Sequence, residues 1–140
     1  MSIPTSLQLQ IVSADRSLVN ERVDEVEIPG ADGYFGVLPG HTPLLALLGV
    51  GELWYRQGRD THHLHVAFGF AEIQAEQVTI LAQVSERADE VDVARAEAAR
   101  KRAEARLARP DIDIDFERAR IALLKSLSRL QVASRVKIRS

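Results

Sequence analysis

Leu7, Leu9 and Ile11 alternate with Gln8 and Gln10, and that period of two marks a strand with one buried face. Val26 and Ile28 repeat the alternation until Pro29-Gly30 stops it. Leu53-Trp54-Tyr55-Arg56 leads into Gln57-Gly58-Arg59-Asp60, which has the composition of a hairpin turn. Beyond that turn Leu64, Val66, Phe68 and Phe70 fall on one face. After the polar break Ala75-Glu76-Gln77, Val78, Ile80, Ala82 and Val84 do the same. Many short strands separated by turn signals predict an antiparallel β-sandwich or barrel over residues 1–86.

The period then changes from two to three and four. From about Asp92 to Ala108 the chain is rich in Ala, Arg and Glu, all good helix formers, with Asp89 or Asp92 placed to cap the start. Ala96, Ala99, Ala103 and Leu107 form a narrow stripe of mostly small side chains. Pro110 ends this helix, and Asp111 to Asp115 supply acidic residues for the next N-terminus, where the helix dipole favours them. Phe116, Ala119, Leu123, Leu127 and Leu130 form a second stripe of larger residues. The two stripes are expected to face each other in an antiparallel two-helix hairpin over residues 87–140. An alanine-lined hairpin buries little apolar area, so it needs the sandwich or another partner to hold it. Such marginal docking suits a switch between states a few kcal/mol apart.

Charge divides the chain at the same place. Residues 1–85 carry four Lys/Arg and ten Asp/Glu, 4 − 10 = −6, and residues 86–140 carry fourteen and ten, 14 − 10 = +4. A basic second part suits an acidic partner surface or a solvated helical face. A nucleic-acid-binding arm is the rival reading. It is disfavoured by the net charge of −2, by Glu97, Glu104 and Glu117 interrupting the basic faces, and by Phe116 being the arm's one aromatic residue. With no cysteine, disulfides and thiolate metal sites are excluded, which fits a cytoplasmic protein. The apolar stretch Leu44–Val50 is far too short to span a bilayer, and no secretory signal is visible at the N-terminus.

The densest signal is Gly33-Tyr34-Phe35-Gly36-Val37-Leu38-Pro39-Gly40-His41-Thr42-Pro43-Leu44-Leu45. Pro39-Gly40 suits the central positions of a type II turn, and Pro43 removes a backbone donor, so a regular central strand cannot run through it. Backbone shaped this tightly serves a fold corner or a docking surface. His41 has only Thr42 as a hydroxyl neighbour in sequence, and no catalytic residue is assigned. His63 and His65 share a strand face, but no cysteine or well-placed carboxylate completes a metal set. No metal is expected, and the two are read as exposed strand histidines.

The Gly33–Leu45 block resembles the Gly-x-x-Gly-x-x-Pro-Gly-His-x-Pro-Leu-Leu block of the epsilon subunit of bacterial F-type ATP synthases. Val66-Ala67-Phe68-Gly69-Phe70-Ala71-Glu72 with Val78-Thr79-Ile80-Leu81-Ala82, and Ile114-Asp115-Phe116-Glu117-Arg118-Ala119, are similar to two further segments of that family in the same order. The resemblance implies a sandwich followed by a helical hairpin in a non-catalytic central-stalk subunit. Its partners would be the gamma subunit, the ring of c subunits and the beta subunit. It would sit peripherally on the cytoplasmic face of the bacterial plasma membrane, without a transmembrane segment. By the same resemblance Gly33, Tyr34, Gly36, Pro39, Gly40, His41 and Pro43 would meet the rotor. Tyr34 stands where the family often carries a small or acidic polar residue, which alters that contact.

The resemblance further implies that the extended hairpin inhibits ATP hydrolysis by meeting an acidic segment of the beta subunit. Arg100, Arg102, Arg106, Arg120 and Arg129 match that electrostatic need. No cofactor is required. ATP is implied as a weak regulatory ligand on the folded hairpin, at Glu86, Asp92, Arg95, Arg118 and Arg129. Lys125 there replaces an arginine and loses its planar fork.

Overall fold

The computed structural model describes residues 3–109 and 115–138, with side chains as far as residue 136. Seven strands come first: β1 (Leu7–Ser13), β2 (Arg16–Val23), β3 (Glu25–Gly30), β4 (Gly33–Val37), β5 (Leu44–Gln57), β6 (Asp60–Ile73) and β7 (Gln77–Arg87). A single turn of 3-10 helix at Ala88–Glu90 leads to α1 (Val93–Leu107) and α2 (Phe116–Ile138). The sheet order is β2-β1-β7-β6-β5-β3-β4. It folds over itself as a β-sandwich, and the two helices pack together after it. Every strand pair is antiparallel except β1 with β7, which run parallel (Leu9 opposite Val78, Ile11 opposite Ile80). Alternation marks where each strand lies but not the direction of its neighbour, so the mixed sheet was invisible in the pattern.

One buried cluster fills the sandwich, with Leu7, Leu9, Ile11, Ile28, Leu53, Tyr55, Leu64, Val66, Ile73, Val78 and Ile80 all shut off from solvent. The Gln57–Asp60 hairpin forms as expected, with Gly58 at φ +62° supplying the positive dihedral of its first central position. The long strands β5 and β6 do not keep one face inward throughout. On β6 the buried core positions are Leu64 and Val66, but beyond the kink they are Ala71 and Ile73. The switch falls at Phe68 (φ +61°) and Gly69 (φ +117°), where a β-carbon on Gly69 would overlap the Leu81 carbonyl. Phe70 therefore leaves the face of Leu64 and Val66 and is 48% exposed, contrary to the alternation. The positive φ of both residues, with the register to β5 and β7 unbroken on either side, puts every later side chain of β6 on the other face.

Asp92 caps α1, its Oδ1 accepting from Arg95 N at 3.0 Å, and Asp115 Oδ1 accepts from Arg118 N at 3.0 Å at the start of α2. Pro110 and Asp111 to Ile114 lie outside the described residues. The alanine stripe faces α2, with Ala96 and Ala103 buried and Ala99 and Leu107 half-buried. On α2 the expected stripe holds in part: Ala119 is buried and Leu123 and Leu130 are half-buried, but Phe116 and Leu127 are exposed, and Ser126, Ser128 and Val132 are buried instead. The helix must satisfy two surfaces at once, α1 on one side and β5 with β6 on the other. Apolar spacing alone finds only one of them.

Candidate functional site

Two surfaces stand out, and the first is the Gly33–Leu45 segment. Ala31-Asp32 closes the β3–β4 hairpin, after which Gly33 takes φ +130°. Gly40 has φ +88°, and His41 N donates to Leu38 O at 3.2 Å, which is the type II turn that Pro39-Gly40 predicts. Gly40 N donates to Ala75 O at 2.7 Å, tying the turn to the β6–β7 loop. His41 Nδ1 lies 2.6 Å from Thr42 O and donates to it. Tyr34, Gly36, Gly40 and Pro43 are exposed, and Pro39 and His41 are half-buried.

An apolar ladder continues this surface along β5. Leu47 (66% exposed), Phe70 and Leu81 (45% exposed) are direct register neighbours on β5, β6 and β7, and half-buried Val12 of β1 sits beside Leu81. Leu38, Leu44 and Leu45 are also exposed. A row of large apolar side chains across four strands is far more than scattered surface leucines, and makes this face a candidate contact surface. The alternation placed Phe70 inside, so this ladder escaped the sequence reading.

The second surface is the seat of α2. Glu52, 7% exposed on β5, accepts from Arg135 Nε at 2.9 Å and Nη2 at 2.8 Å, and lies 3.4 Å from Gln131 Nε2. His63 Nδ1 is 3.2 Å from the same carboxylate. Hydrogen bonding to Glu52 raises the Arg135 pKa above its ordinary value. His65 stands opposite Glu52 on β5 and Glu86 on β7. Its side chain is fully buried, Nδ1 lies 2.7 Å from Ser128 Oγ, and Nε2 has no hydrogen-bond partner among the described residues. Burial, with the charges of Arg129 and Lys125, lowers its pKa to about 3. Lys125 Nζ sits 5.5 Å from the centre of the Phe68 ring.

The expectation of two exposed histidines is thus overturned. They share a face, but that face is covered by α2, and His63 is half-buried. Sequence reasoning also missed Glu52, Ser128, Gln131 and Arg135. The available signal was a carboxylate inside the apolar run from Leu44 to Tyr55, which demands a buried cationic partner.

Among the described residues the five nucleotide candidates are engaged in different contacts. Glu86 Oε1 accepts from Arg129 Nε at 2.5 Å, so these two satisfy each other. Asp92 and Arg95 meet through the α1 cap. Arg118 is eleven residues before Arg129, about 16 Å along α2 at a helical rise of ~1.5 Å per residue. Among the described residues no three His, Cys, Asp or Glu side chains gather to hold a metal ion. Nor is any described helix long and apolar enough to cross a membrane.

A sandwich with an uncovered apolar ladder, carrying helices fastened by polar contacts, is the build of an accessory subunit of a larger assembly. Residues 6–88 match the β-sandwich domain of the ATP synthase delta/epsilon chain, and residues 89–134 match the long α-helix domain of that chain. The chain belongs to this family of non-catalytic ATP synthase subunits. It is 46% identical over 127 residues to the ATP synthase epsilon chain of Nitratidesulfovibrio vulgaris (strain DP4), covering 91% of this chain and 95% of that one. It is 42% identical over 133 residues to the epsilon chain of Solibacter usitatus, covering 95% and 99%. Among solved structures, a chain of the Euglena gracilis mitochondrial ATP synthase (OSCP/F1/c-ring) superposes with a TM-score of 0.81 at 26% identity, over 96% of this chain and 84% of that one. A chain from the Tetrahymena thermophila mitochondrial ATP synthase central stalk and c-ring shares the fold, with a TM-score of 0.60 at 11% identity.

Proposed function

We propose that this chain sits on the central stalk of a bacterial F-type ATP synthase at the cytoplasmic face of the plasma membrane. There its sandwich grips the gamma subunit and the c-ring, and its helical hairpin restrains ATP hydrolysis by reaching the beta subunit. The observation that carries the reading is the exposed ladder Leu47-Phe70-Leu81, continuous along β5 with the Gly33–Leu45 turn segment. Such a surface needs a partner, and the solved relatives come from stalk and ring assemblies.

The brake rests on how α2 is held. Its seat is made of ion pairs and hydrogen bonds around Glu52, His65 and Glu86, which water can replace when the helix leaves. Arg100 and Arg120 pair on their own helices with Glu97, Glu104 and Glu117, while Arg102 and Arg106 lie exposed on α1. Those exposed charges steer the hairpin toward an acidic partner more than they add affinity.

The test is ATP hydrolysis by a catalytic complex stripped of this subunit, with full-length chain or a version ending before Asp89 added back. Inhibition by full-length chain alone makes the sandwich the anchor and the hairpin the brake. Binding of both forms without inhibition removes the brake and leaves the stalk role. Failure of both to bind, or undiminished binding by Phe70→Asp, would overturn the stalk reading.

A further inference from the structure

The register of β3 on β5 is broken at Pro29. Glu27 pairs with Trp54 and Gly30 with Leu48, so residues 49–53 of β5 lie opposite only Ile28 and Pro29. A ladder with that many unmatched residues strands backbone donors. One of them, Glu52 N, donates instead to the hydroxyl of Tyr34 at 3.1 Å. The tyrosine reaches it by lying over Gly51, where a β-carbon would overlap both Tyr34 Oη and Pro29 Cβ. The Glu52 side chain in turn receives Arg135 and Gln131 of α2. Tyr34 thus holds the backbone of the residue whose carboxylate fastens the hairpin, while 57% of it stays exposed on β4.

Tyr34 lines a groove of about 820 Å³ together with Ile121 and Leu124 of α2, and the hydrogen bond to Glu52 is its contact that reaches the fastening of the helix. We propose that Tyr34 is a positioning residue that couples the β3–β4 hairpin to the docking of α2, so that a rotor partner pressing on its exposed face loosens the Glu52 fastening and favours release. The coupling to a rotor partner rests on the stalk reading above, whereas the link from Tyr34 to α2 does not. A tyrosine that merely filled an orphan donor would leave α2 indifferent to its loss.

The chain has no cysteine, so donor and acceptor dyes go on Arg59→Cys and Arg102→Cys of the full-length protein, one on the sandwich away from the Gly33–Leu45 segment and one on α1. Hydrogen exchange of α2 is followed in parallel. Tyr34→Phe is expected to raise exchange over residues 126–136 about threefold to tenfold, the worth of one hydrogen bond, with β1 and β7 unchanged. Glu52→Gln is expected to raise it at least as much. The double variant should match Glu52→Gln alone, because both changes act on one fastening. Additive effects, or an α2 unaffected by Tyr34→Phe, would overturn the link. Equal acceleration in β1 and β7 would also overturn it, by showing general destabilisation.

The same dyes are then read on a purified stalk and c-ring. Binding should lower transfer in the wild type and change it less in Tyr34→Phe. Equal responses overturn the coupling alone, and absence of binding overturns the stalk reading and the coupling together.

Discussion

Acidification should release α2 from the sandwich through His65. This imidazole is buried between Glu52 and Glu86 on the neighbouring strands and faces Lys125, Ser128 and Arg129 on α2, with His63 two residues before it on β6. Each carboxylate already has an arginine, Arg135 on Glu52 and Arg129 on Glu86, so a proton on His65 adds a cation to a balanced cluster. Docked, the group titrates near pH 3, against an ordinary value of 6.5 once water reaches it. The released state therefore binds the extra proton. Docking is fully favoured above about pH 6.5 and weakens as pH falls from there toward 3. At pH 5 the two values give a factor of about 30, or ~2 kcal/mol, and at pH 7.5 a factor of about 1.1. Energy transfer between the sandwich and α1 labels, read from pH 7.5 down to 5, avoids the range in which carboxylates themselves take up protons. We expect the docked fraction to fall with a slope approaching one proton, and His65→Leu to flatten the curve. A wild-type curve flat over this range, or an unchanged slope in His65→Leu, would refute the reasoning.

Three further outcomes follow from the same geometry. Arg135→Ala strands the Glu52 carboxylate, and because the Arg135 side chain is about a third exposed the loss of docking should be about 1–2 kcal/mol, read by hydrogen exchange of α2. Gly69→Ala forces a β-carbon against the Leu81 carbonyl at φ +117°. It should lower sandwich stability by about 2 kcal/mol or more in urea unfolding, and a change under half that size would mean the kink relaxes freely. ATP titrated calorimetrically is expected to bind weakly. We propose the Arg129–Glu86 pair as part of that site, so Glu86→Gln, which frees Arg129 from its carboxylate, should strengthen binding, and unaltered binding would exclude the pair.

Much of this protein was legible before any fold was in view. The strand alternation of Leu7 to Ile11, the Gly58 turn, the Pro39-Gly40 turn, the Asp92 cap and the alanine stripe of α1 all appear where the sequence placed them. Each depends on forces within a few residues: side-chain period, φ preference, or an oxygen within reach of a free N–H. The readings that failed needed distant partners. Phe70 turned outward because β6 kinks against β7 at Gly69, and Leu127 lies exposed because α2 serves α1 and the sandwich together.

The docking seat shows the same division most sharply. A glutamate at position 52, histidines at 63 and 65, a serine at 128 and an arginine at 135 carry no common spacing. They are up to 83 residues apart, and each alone reads as an ordinary polar residue. The sequence by itself determined that a strand-rich acidic part precedes a helical basic part, and that a glycine- and proline-shaped loop interrupts the former. Only the tertiary structure decided that β1 runs parallel to β7, that Leu47, Phe70 and Leu81 share one outer face, and that His65 lies under α2. Local chemistry selects elements, but which faces meet is settled by packing between segments far apart in the chain. Burial and pKa belong to those meetings and not to any single residue.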